Sequence, residues 1–243
     1  MALFTDGAIT SIEELSGYDT QLLTVSNLEG IDVSRKLALA QEELSVEVTG
    51  LLGRAAAHAA LEQVAVTPSV KLWHVYRTLE MVYRDAFHSQ LNDRYAGKRD
   101  EYRGLAQWAY SQVLQGGLGI AADPVARATP PQVAPAAGSL DEGTYYVAVA
   151  WTNAAGEEGD CSTATEIQAA SSSFGVQTLA PNGVHGWNVY CGAEPAAMTL
   201  QNSTPLAPGE TWRQPALSTT RRAAGKGQEP TYWLPVPRII QRG

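Results

Sequence analysis

Cysteine is nearly missing: Cys161 and Cys191 are the only two in 243 residues. Two thiols cannot form the disulfide framework of a small secreted domain. The chain has no run of eighteen apolar residues, which excludes a helical membrane span. Its start, MALFTDGAITS, has neither a basic segment nor an apolar core, so no signal peptide is expected there. That points to a reducing compartment, with Cys161 and Cys191 as buried thiols rather than a bonded pair. Cations are also few, 17 Lys and Arg against 25 Asp and Glu. Phosphate-backbone binding needs clustered cations, so a nucleic-acid grip is disfavoured.

The signatures of enzymes are missing too. The sequence has no Walker loop, no G-x-S-x-G, no H-E-x-x-H and no Cys-x-x-Cys. We therefore expect no enzyme, no cofactor and no metal. The four histidines are His58, His74, His88 and His185. On a straight helix His74 and His88 would stand about 21 Å apart, too far for one ion. Asp141–Glu142 and Glu157-Glu158-Gly-Asp160 lack the alternating oxygen ligands of a calcium loop and read as solvated turns. GGLGIA resembles a nucleotide loop only superficially, since it follows a helix and runs into Pro124; a helix cap is expected.

The strongest pattern runs from Thr67 to Leu114. Thr67 suits an N-cap, and Pro68 suits the first helical position. Leu72, Tyr76, Leu79, Tyr83, Phe87 and Leu91 recur at steps of three and four as one stripe. Asn92–Asp93 and Gly97 break the helix, and a second stripe follows through Tyr102, Leu105, Ala109 and Val113. Gly116–Gly117 closes it. Upstream, Ser11-Ile-Glu-Glu14 is a capping box, Tyr18–Leu28 is weakly helical, and Asp32 caps a helix from Val33 to about Leu52. Leu37, Ala40, Leu44, Val48 and Leu51 form its inner face. Short connections favour antiparallel neighbours, hence a helical bundle.

Beyond Gly143 the period changes from 3.6 to 2. Tyr145, Val147, Val149 and Trp151 alternate with Tyr146, Ala148 and Ala150, and Asn153–Asp160 is a turn. Thr163–Ala169, Gly175–Leu179, Gly186–Cys191 and Met198–Asn202 are further strands, an array typical of a β-sandwich. The reading is an α + β multidomain chain. It divides into a helical domain (1–122), a Pro/Ala-rich linker (123–138), a β-sandwich (139–216) and an extended basic tail (217–243). The tail carries 5 Lys and Arg against 1 acid, whereas residues 1–122 carry 10 against 15 and residues 123–216 carry 2 against 9.

Two sets of residues are candidates for contact. Tyr232, Trp233, Leu234, Arg238, Ile239, Ile240 and Arg242, with Pro235 and Pro237 among them, combine aromatic anchors and arginines on a stiffened backbone. The residues suit either a tail folded back on its own sandwich or docking in a groove on a partner. Removing residues 229–243 is expected to leave both domains folded, since neither pattern includes them. Trp73, Tyr76, Trp108 and Tyr110 place bulky residues on more than one helix face, which fits a deep core or a subunit interface.

Several stretches, in this order, resemble head-to-tail connector (adaptor) proteins of tailed bacteriophages. They are Ile31-Asp-Val-Ser-Arg-Lys-Leu-Ala-Leu-Ala-Gln-Glu-Glu-Leu44, Leu72-Trp-His-Val-Tyr-Arg-Thr-Leu-Glu80, Gln90-Leu-Asn-Asp-Arg-Tyr95, Gly117-Leu-Gly-Ile-Ala-Ala-Asp-Pro124 and Arg238-Ile-Ile-Gln-Arg-Gly243. Tyr145-Tyr-Val-Ala-Val-Ala-Trp151, the Gly156-Glu-Glu-Gly159 turn and Gly186-Trp-Asn-Val-Tyr190 are similar to an immunoglobulin or fibronectin type III module. That module is an insertion relative to the smaller adaptors. The resemblance implies a virion neck protein, assembled in the host cytoplasm as a homo-oligomeric ring, commonly a dodecamer of twelve copies. The ring would seat beneath the portal protein, touch other neck or tail proteins, and let DNA pass without sequence-specific binding and without a membrane. An acidic lining suits passage. The competing class is a surface-binding protein whose sandwich grips a receptor or carbohydrate, with the helices as a stalk.

Overall fold

The computed structural model describes residues 1–55, 58–90, 93–138, 140–169, 173–213, 216–219 and 221–237. Among these, the helices are α1 (Ile12–Tyr18), α2 (Leu22–Glu29), α3 (Val33–Arg54), α4 (Pro68–Gln90) and α5 (Ala96–Gly116). The strands are β1 (Leu118–Ile120), β2 (Gln132–Ala136), β3 (Gly143–Thr152), β4 (Thr165–Ala169), β5 (Ser173–Gln177), β6 (Gly186–Gly192), β7 (Thr199–Leu200), β8 (Trp212–Arg213) and β9 (Tyr232–Leu234). Strand pairing is antiparallel throughout, so the protein is mixed α + β. It divides into two compact units. One, the helical unit, comprises 7–122 and 230–243; the other, the β unit, comprises 1–6 and 123–229.

In the helical unit the local signals act as expected. Ser11 and Glu14 form the capping box of α1, and Asp32 accepts from the Arg35 N–H at the start of α3. Thr67 Oγ1 accepts from the Val70 N–H at 3.4 Å. All five inner-face residues of α3 are buried. The single stripe on α4 is too narrow, however. Leu79 and Tyr83 are buried, but Leu72, Tyr76 and Phe87 are only half-buried, and Leu91 lies outside the described residues. Val70, His74, Val75, Thr78, Met81, Val82 and Ala86 are buried as well. The cause is that α4 packs against α2, α3 and α5, so most of its circumference is covered.

After α5, Gly117 adopts φ +83°, and a Cβ there would lie 2.5 Å from the Leu234 carbonyl oxygen. Glycine serves both the left-handed turn and the close approach. The expected cap is present, but the chain then continues as β1, which pairs with β9 in the register Leu118↔Leu234, Gly119↔Trp233, Ile120↔Tyr232. On its other side β1 meets Gln63–Ala65: Ala65 N–H donates to the Gly119 carbonyl, and Ala121 N–H to that of Gln63. Residues 118–120 are fully buried between them.

In the β unit, β2-β5-β8 form a three-stranded sheet and β4-β3-β6-β7 a four-stranded one. Tyr145, Val147, Val149 and Trp151 of β3 meet Trp187 and Val189 of β6, Phe174 and Val176 of β5, and Trp212 of β8 in one core. The buried indole N–H groups are satisfied, Trp187 by the Ala207 carbonyl at 3.0 Å and Trp151 by Thr178 at 3.3 Å. The second face of β3 is covered too. Ala148 and Ala150 pack with Tyr190 and Met198, and Ala224 lies against them.

Ala224 in that cover belongs to the stretch expected as an extended basic tail, which here folds back on the sheet. Leu200 N–H donates to the Arg222 carbonyl, Ala223 bridges to Thr199, and Lys226 bridges to Asp160. Arg222 also reaches Glu158 at 2.6 Å. The stretch read as a linker likewise supplies a strand, β2, which pairs with β5 across five residues. Its Pro135 is tolerated because β2 is an edge strand. Leu3 and Phe4, upstream of the helices, are buried in this unit, where Asp6 accepts from the N–H groups of Leu3 and Arg127.

Cys161 and Cys191 are both free. Cys191 belongs to the core between the sheets and Cys161 to the cluster on the opposite face of the four-stranded sheet, so they cannot bond without refolding. Burial pushes both thiols up to about 12. Neither should react with maleimide in the native protein at neutral pH, and both should react in denaturant without reductant. A linked peptide pair recovered by mass spectrometry would overturn this.

Candidate functional site

Helices α3 and α5 both pack on α4 and leave a strip of it open between them. The resulting groove, about 420 Å³, is lined by Glu43, Leu44 and Glu47 of α3, Trp73, Arg77 and Glu80 of α4, and Arg103, Ala106, Gln107 and Tyr110 of α5. At one end Trp73 and Tyr110 lie with ring centroids 4.8 Å apart. At the other, Arg77 is held by Glu43 at 2.7 Å and Glu80 at 2.6 Å, and Arg103 lies 3.3 Å from Glu80. Glu80 is buried, so its two arginine partners offset the cost of taking its charge out of water. Among the described residues Glu47 forms no ion pair.

The sequence marked Trp73 and Tyr110 but not the acidic and basic residues beside them. The Arg77–Glu80 pair has the helical i,i+3 spacing that signals contact. Arg103 and Glu43 come from other helices, and no local pattern marks them. The other two interface candidates lie off the groove. Tyr76 is half-buried with its ring edge-on to Tyr18, centroids 6.1 Å apart. Trp108 is 47% exposed.

The second candidate is the C-terminal segment. Tyr232 and Trp233 on β9 are 45% and 52% exposed, while Leu234 is half-buried and Val236 is buried. Backbone pairing to β1 thus fixes the segment and leaves two aromatic side chains outward. Arg238, Ile239, Ile240 and Arg242 lie outside the described residues.

A third cluster was not foreseen. Asp19, between α1 and α2, accepts from Tyr83 at 2.8 Å, Tyr102 at 2.6 Å and the Gln21 N–H at 2.9 Å, with Lys98 at 3.6 Å. Burial alone would raise its pKa, but these hydrogen bonds and Lys98 hold it below the usual aspartate value. Burial, and then the hydrogen bond to the Asp19 carboxylate and its charge, push both tyrosines up. This is a fastening point rather than an acid–base pair. Of the histidines, His74 is buried between Thr10 and the Leu37 carbonyl, each at 3.1 Å. Burial lowers its pKa. His58, His88 and His185 are exposed.

In the β unit, Glu158 accepts from Asn188, Tyr190 and Arg222, and so is a structural anchor. Among the described residues no group of three or more His, Cys, Asp or Glu could hold a metal ion, and no helix is long and apolar enough to cross a membrane. No family model, curated protein or solved structure matches the chain. The functional reading therefore rests on the residues themselves.

Proposed function

We propose that the chain is a structural protein of a tailed-phage virion, a head-to-tail adaptor that forms a ring beneath the portal and has no enzymatic role. The carrying observation is the C-terminal segment: it is pinned to β1, presents Tyr232 and Trp233 outward, and leads into Arg238-Ile-Ile-Gln-Arg242. Exposed rigid aromatics beside arginines are what a protein-docking anchor requires. The remainder of the chain is acidic, which suits a channel through which DNA passes unbound.

Adjacent β1 and β9 also support an insertion. The helical unit closes on itself through these strands, so residues 123–229 can be added between them without breaking it. We read that insert as an immunoglobulin- or fibronectin III-like sandwich. Its three- and four-stranded sheets share one core, and the Tyr145 hydroxyl donates to the Asp141 carbonyl four residues upstream at 3.0 Å, a tyrosine-corner type of contact. The helices are read as the adaptor bundle. The receptor- or carbohydrate-binding alternative draws less support. Trp151, Trp187 and Trp212 of the β unit are all buried, so none offers a stacking platform for a sugar.

Co-sedimentation with purified portal rings tests the reading. The full chain should pellet with the rings, and a chain ending at Pro237 should not. Arg238→Ala alone should weaken binding by about 1–3 kcal/mol where the bond is buried. Equal pelleting of the full and shortened chains would move the docking site elsewhere. No pelleting of the full chain would remove the adaptor reading.

A further inference from the structure

We propose that the α3–α4–α5 groove is the acceptor half of a head-to-tail contact between copies of this chain, and that Trp108 of the next copy fills it. The inference rests on the ring reading and assigns its two surfaces. Trp108 lies two residues after Ala106 and two before Tyr110, about 200° of helical turn from each. Ala106 and Tyr110 face the groove, so Trp108 stands on the other flank of α5. It is 47% exposed, and among the described residues its indole N–H has no partner.

The two flanks differ and match. One offers a flat ring with an unused donor. The other offers the half-buried Tyr110, packed on the buried Trp73, and the exposed Glu47, a carboxylate without a cation. A ring edge against a ring face and an N–H toward a carboxylate are both favourable in a desolvated recess. The 420 Å³ groove is large enough to admit an indole. A twofold dimer would use one self-complementary patch. Two unlike surfaces on opposite flanks instead generate a directional repeat, which closes into a ring when the rotation per subunit allows. A second copy supplies both halves at once, which an unrelated partner would not.

Sedimentation velocity at high micromolar concentration tests this with the full chain. The wild type should assemble. Trp108→Glu, which removes the donor face, and Glu47→Arg, which blocks the acceptor, should each weaken self-association by about 30-fold or more. Both residues are exposed, so unchanged thermal melts will confirm that the variants fold. An equal mixture of the two variants keeps one intact donor and one intact acceptor, and should give 1:1 dimers and nothing larger. Wild-type-like assembly by either single variant would overturn the assignment while leaving a ring intact. A mixture that stays monomeric beside an assembling wild type would show that the surfaces are not partners. A monomeric wild type would sink the inference too, and portal binding would still be judged by its own assay.

Discussion

Asp19→Ala is expected to lower the stability of the helical unit by about 3–5 kcal/mol, because it strands buried polar groups that the carboxylate now satisfies. Tyr83 and Tyr102 come from two different helices and converge on Asp19 Oδ2, while Oδ1 holds the Gln21 N–H. Alanine would leave two phenol hydroxyls without an acceptor and Lys98 without its nearest buried anion. Urea unfolding followed by helical circular dichroism measures the loss, and a change under about 1 kcal/mol would mean that water replaces the carboxylate. Asp19→Asn keeps one acceptor oxygen and should cost less.

The same site sets an acid limb. The folded-state pKa of Asp19 is depressed, so its contribution is complete above the ordinary aspartate value of 3.8 and is lost as pH falls through the folded value. Asp19→Asn should remove that part of the acid limb. His74 acts at higher pH. It is held neutral in the fold, so stability declines as pH falls below its ordinary value of 6.5, where the unfolded chain takes up the proton.

Where a signal is local, the sequence was a sound guide. The capping box at Ser11, the cap at Asp32, the Thr67–Pro68 start of α4 and the glycine exit of α5 depend on residues within one turn of each other. The alternation of β3 was legible for the same reason. What depends on distant partners was not. Asp19 lies 64 and 83 positions from its tyrosines, and nothing near it differs from an ordinary turn aspartate. β2 was hidden because Pro135 argues against a strand unless the strand is known to be an edge. Both faces of β3 are apolar, which alone does not say what covers the second; Ala224 contributes to that cover from some 70 positions downstream. The groove was half visible, its aromatics evident and its Glu43–Arg77–Glu80–Arg103 network assembled only by the packing of three helices.

The C-terminal truncations should separate folding from docking. Removing residues 229–243 deletes β9, and the expectation that the helical unit would tolerate this does not survive the pairing of β9 with β1. Leu118 and Ile120 are fully buried, and Pro230 sits where a Cβ on Gly119 would lie 2.7 Å from its ring. Exposing a fully buried Leu or Ile costs about 1.5–3 kcal/mol. Partial exposure of both, with loss of the strand hydrogen bonds, should therefore destabilise the helical unit by about 3–5 kcal/mol. Ending the chain at Pro237 keeps the β9–β1 pairing and Val236, so the loss expected on deleting β9 should not occur there. Urea midpoints of the three chains decide the matter. Were the chain ending at Gln228 as stable as the full protein, β9 would be an accessory to the fold. Its loss of portal binding could then be assigned to docking alone, whereas the expected destabilisation makes the Pro237 chain the only clean test of attachment.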